Sequence, residues 1–456
     1  MNLRERLALC VYGWAMAALQ PLLRGKLARR ARAEPGYARD VGQRFGHGLP
    51  ARPALAADQP LVWVHAVSLG ETRAAAVLVR ALREVLPGMR LLLTHTTATG
   101  RAEGVGVLHQ GDVQAWLPWD TPGAVNRFLT HFQPHVGVLM ETEVWPHLVA
   151  GCQRRGVPLV LANARLNQTS HAKALRWRVL SRPAYAGLAQ VCAQTEADAQ
   201  RLRELGAPAQ GRWGNLKFDA TPHPAQLTQA QAWRAAAHGG WPPTVLLASS
   251  REGEERLFLK EIKALALDGI GVSAANFDSS NLTHIRWLLV PRHPQRFDEV
   301  AQLVSDAGLA CLRRSAWGDA GPPVDTGSSP PTVWLGDSLG EMALYYAMAD
   351  VALLGGSFEP LGGQNLIEAA ACACPLVLGP HTHNFADAAE QALAAGAAVR
   401  VADMAAGVRA ALAWLAAQGQ RAQTAAAGEA FAQAHKGAAS QMAGAVARWV
   451  SAPPGR

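Results

Sequence analysis

The sequence predicts an α/β protein made of two doubly wound halves, with an apolar helix ahead of them. Three observations carry this. Between residues 61 and 205, apolar runs of strand length alternate with segments of helix length, the pattern of a parallel sheet covered by helices on both faces. The alternation stops in a Pro-, Gln- and Ala-rich stretch at 222–243 and restarts at Thr244. Most polar clusters stand directly after an apolar strand, where ligands bind in open parallel sheets.

The elements follow in order. Leu7 to Leu23 is apolar except for Gln20, and Arg24, Lys26, Arg29, Arg30 and Arg32 come next. The run is somewhat short of the roughly 20 residues that cross a bilayer. Ala15-Met16-Ala17 has the look of a signal cleavage site. The positive charge lies after the run, however, which favours an anchor that keeps the rest of the chain in the cytoplasm. A membrane anchor with its basic flank is therefore expected at 1–32, with an amphipathic helix and a signal peptide as the alternatives.

Leu61–His65, Met89–Thr94, Val136–Met140, Pro158–Ala162 and Val191–Gln194 read as strands, with helices between them at 72–86, 122–132 and 196–205. In the second half the strands are Thr244–Ala248, Trp287–Val290, Thr332–Leu335 and two within 350–385. The domains expected are 33–221, a hinge at 222–243, 244–420, and a C-terminal helix at 421–456. Two Gly-, Ser- and Pro-rich segments, 269–284 and 315–331, read as surface insertions.

Composition narrows the class. A chain of 456 residues with 49% hydrophobic residues has room for two or three domains. A net charge of +8 suits nucleic acid, an anionic membrane or a phosphorylated substrate. No basic ladder interleaved with aromatics is present, which disfavours nucleic acid. The six cysteines have no C-x-x-C spacing and read as small buried residues in a reducing, cytoplasmic body.

The densest chemistry lies at 350–385. Asp350-Val-Ala-Leu-Leu-Gly-Gly-Ser357 is a strand ending in glycines, and Gly362-Gly-Gln-Asn365-Leu366-Ile367-Glu368 is expected to open a helix with Asn and Glu on its first turn. Free N–H groups there suit a phosphate, and a carboxylate one turn in suits ribose hydroxyls. An ordinary Gly-rich turn has the same composition. Glu71, after the first strand, reads either as a general base with a raised pKa or as a carboxylate answering a helix dipole. Glu141 and Glu143, after another strand, can hold a metal, pair with Arg or face developing positive charge. Lys217, in Asn215-Leu-Lys217-Phe-Asp219, can neutralise an anionic sugar or leaving group, or simply lie in solvent. Arg292-His293, between prolines, can grip a phosphate or a base edge. Leu339-Gly340-Glu341 can meet a nucleobase. No Asp-x-Asp clamp and no G-x-x-x-x-G-K-[ST] loop occurs.

Taken together, these motifs resemble the 3-deoxy-D-manno-octulosonic acid (Kdo) transferases of the lipopolysaccharide inner core. The likeness runs through Trp63-Val-His65-Ala-Val-Ser68-Leu-Gly-Glu71, Glu141-Thr-Glu143-Val-Trp145-Pro146, Asn215–Asp219, Pro291-Arg292-His293-Pro294, Gly340-Glu341, Gly355-Gly-Ser357, Gly363 with Asn365 and Glu368, and Gly379-Pro-His381 with Asn384-Phe385. The resemblance implies a GT-B fold, two Rossmann-like domains facing across a cleft, and inverting transfer of Kdo from CMP-Kdo to the 6′-hydroxyl of a lipid A precursor, lipid IVA. It implies Glu71 as proton acceptor. It implies one of Glu141 and Glu143, with Glu141 favoured, together with Lys217 as transition-state stabilisers. Arg292, His293, Leu339, Gly340, Glu341, Asn365, Leu366, Ile367 and Glu368 would hold CMP, with no metal. The enzyme would work at the cytoplasmic face of the inner membrane. Basic groups by the anchor, with Arg165, Lys173, Arg176 and Arg178, would draw the lipid's phosphates and the anionic leaflet. Two departures stand out: Gln364-Asn365-Leu366 where the family often has His-Asn-Pro, and Arg251 where it commonly has His. The rivals are a GT-B transferase using a UDP-sugar on a lipid-linked acceptor, and a non-catalytic nucleotide-binding protein of the membrane surface.

Overall fold

The strands form where the apolar runs predict them, and short ones are added at the margins. The computed structural model describes residues 1–219, 221–237, 240–268, 285–323 and 331–451. The chain divides into two compact units, Met1–Ala220 with His435–Arg456, and Thr221–Ala434.

The first unit holds β1 (Leu61–His65), β2 (Arg90–His95), β3 (Val113–Trp116), β4 (Val136–Met140), β5 (Leu159–Ala164), β6 (Gln190–Ala193) and β7 (Ala209–Arg212). They form one sheet in the order β3-β2-β1-β4-β5-β6-β7, with parallel pairing throughout. Every residue of β1, β4 and β5 is buried, as expected of central parallel strands with helices on both faces. Alternation decides which core each side chain joins. Leu61 and Trp63 pack with Phe128, Phe132 and Leu148 on one face. Val62 and Val64 pack with Leu78, Leu82 and Met442 on the other.

The second unit repeats the plan. Its strands are β8 (Thr244–Ser250), β9 (Arg286–Pro291), β10 (Ala310–Arg313), β11 (Thr332–Leu335), β12 (Val351–Leu354), β13 (Leu376–Leu378) and β14 (Ala398–Arg400). Their order is β10-β11-β9-β8-β12-β13-β14. The strand order reverses between β1 and β4 in one sheet and between β8 and β12 in the other. Such switch points open a crevice beyond the carboxyl ends of the strands.

At the N-terminus, the single anchor helix expected is instead two helices, α1 (Leu3–Ala18) and α2 (Gln20–Ala33), bent by 49° at Leu19. Pro21 at the start of α2 has no N–H to continue the ladder of α1. Among the described residues no single helix is long and apolar enough to cross a membrane, although the bent pair passes that test together. One face of α1 is docked. Tyr12 stacks on His147 with ring centroids 5.5 Å apart, and a Cβ on Gly13 would lie 2.7 Å from His147 Nε2.

The far end of the chain returns to the first unit. Helix Gln418–Ala434 belongs to the second unit, whereas helix Ala438–Ser451 packs on α3 (Leu69–Val85) of the first. Asp219 fastens it, accepting from the N–H groups of Gly437 at 2.5 Å and Ala439 at 2.7 Å. A capping carboxylate of this kind contributes about 1 kcal/mol. The expected insertion at 269–284 lies outside the described residues, as do residues 324–330 of the one at 315–331.

Candidate active site

In the first unit, Glu71 and Glu141 follow the neighbouring strands β1 and β4, and Lys217 follows the edge strand β7. Glu71 follows β1, the partner of β4 at the switch point, and sits in the first turn of α3. Ser68 caps that helix, its Oγ accepting from Glu71 N at 3.3 Å. The carboxylate folds back: Oε2 accepts from Val67 N at 3.0 Å and Oε1 from Ser68 Oγ at 3.1 Å. Ser68-x-x-Glu71 is thus close to a capping box, so the same geometry that places Glu71 at the crevice also serves the helix. The side chain is half-buried. Burial pushes its pKa above the ordinary value, helped by the charges of Glu141 and Glu143 and opposed by the Val67 N–H and His65.

The two glutamates after β4 separate into different surroundings. Glu141 is buried and lies 2.6 Å from Arg165 Nε. Its charge acts on Lys217, whose pKa is lowered by burial, with Glu141 opposing that shift and Arg165 adding to it. Glu143 accepts from Trp145 Nε1 at 2.9 Å, and His65 Nε2 stands 3.8 Å away, beyond a good hydrogen bond. Its pKa is lowered: burial pushes it up, but His65 and Trp145 outweigh that. The geometry therefore groups Glu141 with Arg165 and Lys217. Lys217 itself stands on the short 3₁₀ turn Leu216–Asp219. The motif around it divides its work: Leu216 is core, Phe218 stacks on His435 at 4.7 Å, and Asp219 caps the last helix.

In the second unit, the residues expected to hold a nucleotide lie on three segments that leave the carboxyl ends of β9, β11 and β12. β9 lies between β11 and β8, and β8 pairs with β12. Arg292 donates its N–H to Ser250 O at 3.0 Å. His293 is kept neutral to lower pH by burial first, then by Arg251 and Arg292. The Glu341 carboxylate is already engaged, by Arg314 at 3.0 Å and Ser338 Oγ at 2.5 Å. The Gly340 carbonyl accepts from Gln226 Nε2 at 2.8 Å, and Leu339 is exposed.

After β12 the sequence expectation needs correcting. The helix does not open on the Gly362-Gly363 pair. It is a single turn, Ile367–Ala371, and Asn365 precedes it, its Oδ1 accepting from Ile367 N at 3.2 Å. Gly362 and Gly363 have φ of 90° and 76°, left-handed values that favour glycine. They form a loop that folds back so that Gly363 N donates to Gly356 O at 2.7 Å. Glu368 remains in the first turn. Gly355 is demanded by packing, since a Cβ there would meet the carbonyl oxygens of Ser249 and Ala248.

Sequence reasoning missed Glu254. It is 0% exposed and bridges the second switch point. Its Oε2 accepts from Gly356 N at 2.7 Å and Arg251 N at 2.9 Å, and its Oε1 from Phe358 N at 3.0 Å. No local spacing marks it, because two of its three bonds reach N–H groups more than a hundred residues away. Glu254→Ala strands two buried N–H groups, those of Gly356 and Phe358, and the part-buried one of Arg251, each buried group costing about 1–3 kcal/mol. We expect it to lower the unfolding free energy by about 3 kcal/mol or more and to abolish nucleotide binding, checked by urea unfolding and by calorimetric titration with CMP. Among the described residues, no group of three or more His, Cys, Asp or Glu side chains gathers as a metal site.

Residues 39–220 match the family model described as 3-deoxy-D-manno-octulosonic-acid transferase (kdotransferase). The chain is 46% identical to the 3-deoxy-D-manno-octulosonic acid transferase of Bordetella pertussis, over 96% of this chain and 99% of that one. It is 30% identical to that of Haemophilus influenzae, over 80% of this chain and 81% of the other. In fold alone it is similar to a glycosyltransferase of Rickettsia africae, with a TM-score of 0.54 and 11% identity over 87% of this chain and all of that one. Two parallel seven-stranded units of this kind are GT-B architecture. Agreement along nearly the whole length, at these identities, places the chain in the 3-deoxy-D-manno-octulosonic acid transferase family.

Proposed function

We propose that the protein moves Kdo from CMP-Kdo to the 6′-hydroxyl of a lipid A precursor such as lipid IVA, with inversion and without a metal. The observation that carries the reading is the gathering of Glu71, Glu141 and Lys217 at the carboxyl edge of one sheet, tied together by charge, in a chain of this family. In this reading the second unit holds the cytidylate through Arg292, His293, Leu339–Glu341 and Asn365–Glu368, and the first unit supplies the base.

Glu71 takes the proton of the acceptor hydroxyl. The oxygen attacks the anomeric carbon of Kdo from the face opposite CMP, and the bond from that carbon to the phosphate oxygen breaks. A carboxylate whose pKa is raised is the stronger base for this step. Positive charge growing at the anomeric centre is met by Glu141, and negative charge on the leaving phosphate by Lys217 and the arginines. A nucleoside monophosphate carries less charge than a diphosphate, so N–H groups and cations suffice where other enzymes use a divalent ion.

The acceptor lies in a membrane, and α1 supports contact with one. Leu3, Leu7, Val11 and Trp14 form a stripe on its outer face, with Trp14 77% exposed. Trp177 and Val179 add apolar surface on the first unit, beside the basic Lys173, Arg176 and Arg178. A helix docked along one face and apolar on the other suits lying in the plane of an anionic leaflet, here the cytoplasmic leaflet of the inner membrane.

The test is to incubate the purified protein with CMP-Kdo and lipid IVA, no metal added, and weigh the product. A mass gain of one or more Kdo units supports the reading and counts the units. Turnover with UDP-N-acetylglucosamine instead would favour the UDP-sugar alternative, and CMP binding without transfer the non-catalytic one.

A further inference from the structure

The pairing of β4 with β5 ends at Met140 against Ala162. The residue that follows each of these is left-handed, Glu141 at φ 55° and Asn163 at φ 51°. Non-glycine residues are uncommon in that region, asparagine being among the more tolerant, and they cluster at working sites. Glu141 has a part in the proposed reaction. Asn163 has none so far, although it is 0% exposed.

Its bonds lead to the turn that carries Lys217. Asn163 Oδ1 accepts from Leu216 N at 3.1 Å. Its backbone carbonyl accepts from Gln194 Nε2 at 2.9 Å. Gln194 Oε1 accepts from Asn215 Nδ2 at 3.0 Å, and Asn215 Oδ1 accepts from Lys217 N at 3.0 Å. Two routes, one direct and one through two side-chain amides, thus join the end of β5 to the backbone N–H groups of Leu216 and Lys217. The left-handed residue also shifts the β5–β6 register between Leu161 and Ala164, which is how a bulge re-aims its neighbours. Asn163 Nδ2 is buried without a hydrogen-bond partner. Glycine at this position would suit the left-handed backbone and avoid the orphaned amide. Asparagine accepts the cost of that amide and delivers a side-chain acceptor to the Lys217 turn.

We infer that Asn163 is a positioning residue for transfer, which with Gln194 and Asn215 fixes the backbone that holds Lys217 beside Glu141. The inference rests on the reading of Lys217 and Glu141 given above.

The test uses the full-length enzyme with CMP-Kdo and lipid IVA, and the variants Asn163→Gly, Asn163→Ala, Asn215→Ala and the Asn163→Gly/Asn215→Ala double. Glycine keeps the left-handed backbone without strain and removes only the amide. Both Asn163 variants should lower kcat about 10²-fold, the usual cost of a misplacement near 1 Å, with the donor KM little changed. The double variant should lose little beyond the worse single, because the residues act as one unit. The Lys217 ammonium, faced by Glu141 and Arg165, should titrate at higher pH once its turn loosens, read by NMR of the ¹³C-dimethylated lysine. Asn163→Gly with parental kcat, or with an unmoved Lys217 titration, overturns the inference. So do losses in the double variant that simply multiply, or a kcat loss matched by collapse of the melting transition in Asn163→Gly. A parent that transfers no Kdo defeats the underlying reaction instead, while the Lys217 titration still decides whether Asn163 positions the lysine.

Discussion

Glu71→Gln is expected to fold like the parent and to transfer Kdo about 10²–10⁴-fold more slowly, the usual contribution of a positioned general base. Glutamine can serve in a capping box as glutamate does, so its amide oxygen can still accept from Val67 N or Ser68 Oγ. What it cannot do is take a proton. A melting curve close to the parental one, beside a collapsed kcat, separates base from cap. A Gln variant that transfers at the parental rate reduces Glu71 to a helix-capping residue. The pH profile gives a second check. The active form is the ionised carboxylate, so rate falls as pH falls through the Glu71 pKa. Burial and two neighbouring carboxylates raise that pKa. The acid limb of kcat/KM should therefore lie above the ordinary glutamate range of about 4.3. Glu143→Gln removes one of the raising charges and should move that limb to lower pH.

Removing the charge of Lys217 or of Glu141 is expected to cost about 10²–10³-fold in kcat, the scale of a lost electrostatic contact to developing charge. Lys217→Met keeps the aliphatic stem and discards the cation. Glu141→Gln keeps shape and discards the anion, and leaves Arg165 without its ion-pair partner at 2.6 Å. If both act on one transition state, the double variant should lose much less than the product of the singles. Strictly multiplicative losses, measured as kcat under saturating donor, would instead separate the two residues into unrelated roles.

How much of this was legible in the sequence depends on burial. The central strands β1, β4, β5, β8 and β12 declare themselves as unbroken apolar runs because both of their faces are covered. The unread strands are β3, β7, β10 and β14, which are the edges of the two sheets. Their residues are largely half-buried or exposed, as in Ala209-Gln-Gly-Arg212 and Ala310-Cys-Leu-Arg313, so they lack the hydrophobic signature. Strand-end chemistry was readable because polar residues interrupt apolar runs abruptly, as at Glu71 and Glu141. The partner of each was not. That Glu141 pairs with Arg165 while Glu143 faces His65 follows from a left-handed residue at the end of β4, and backbone handedness at a non-glycine position leaves no mark in composition. Glu254 escaped notice for a related reason: its carboxylate holds N–H groups more than a hundred residues away, and spacing reports only local bonds. The N-terminal run shows another limit. Hydropathy marks the apolar segment, but Pro21 and the docking of Tyr12 on His147 decide how far a helix can extend.

Asp219 gripping the start of helix Ala438–Ser451 means that the lobe containing Glu71 is assembled from two separate segments, with the other lobe inserted between them in the sequence. Residues 221–434 must therefore be made before that lobe can close over Met442 and Val446. Anyone wishing to exchange the nucleotide-handling module with that of a relative would have to cut at two seams, near residues 220 and 435, rather than splice at one.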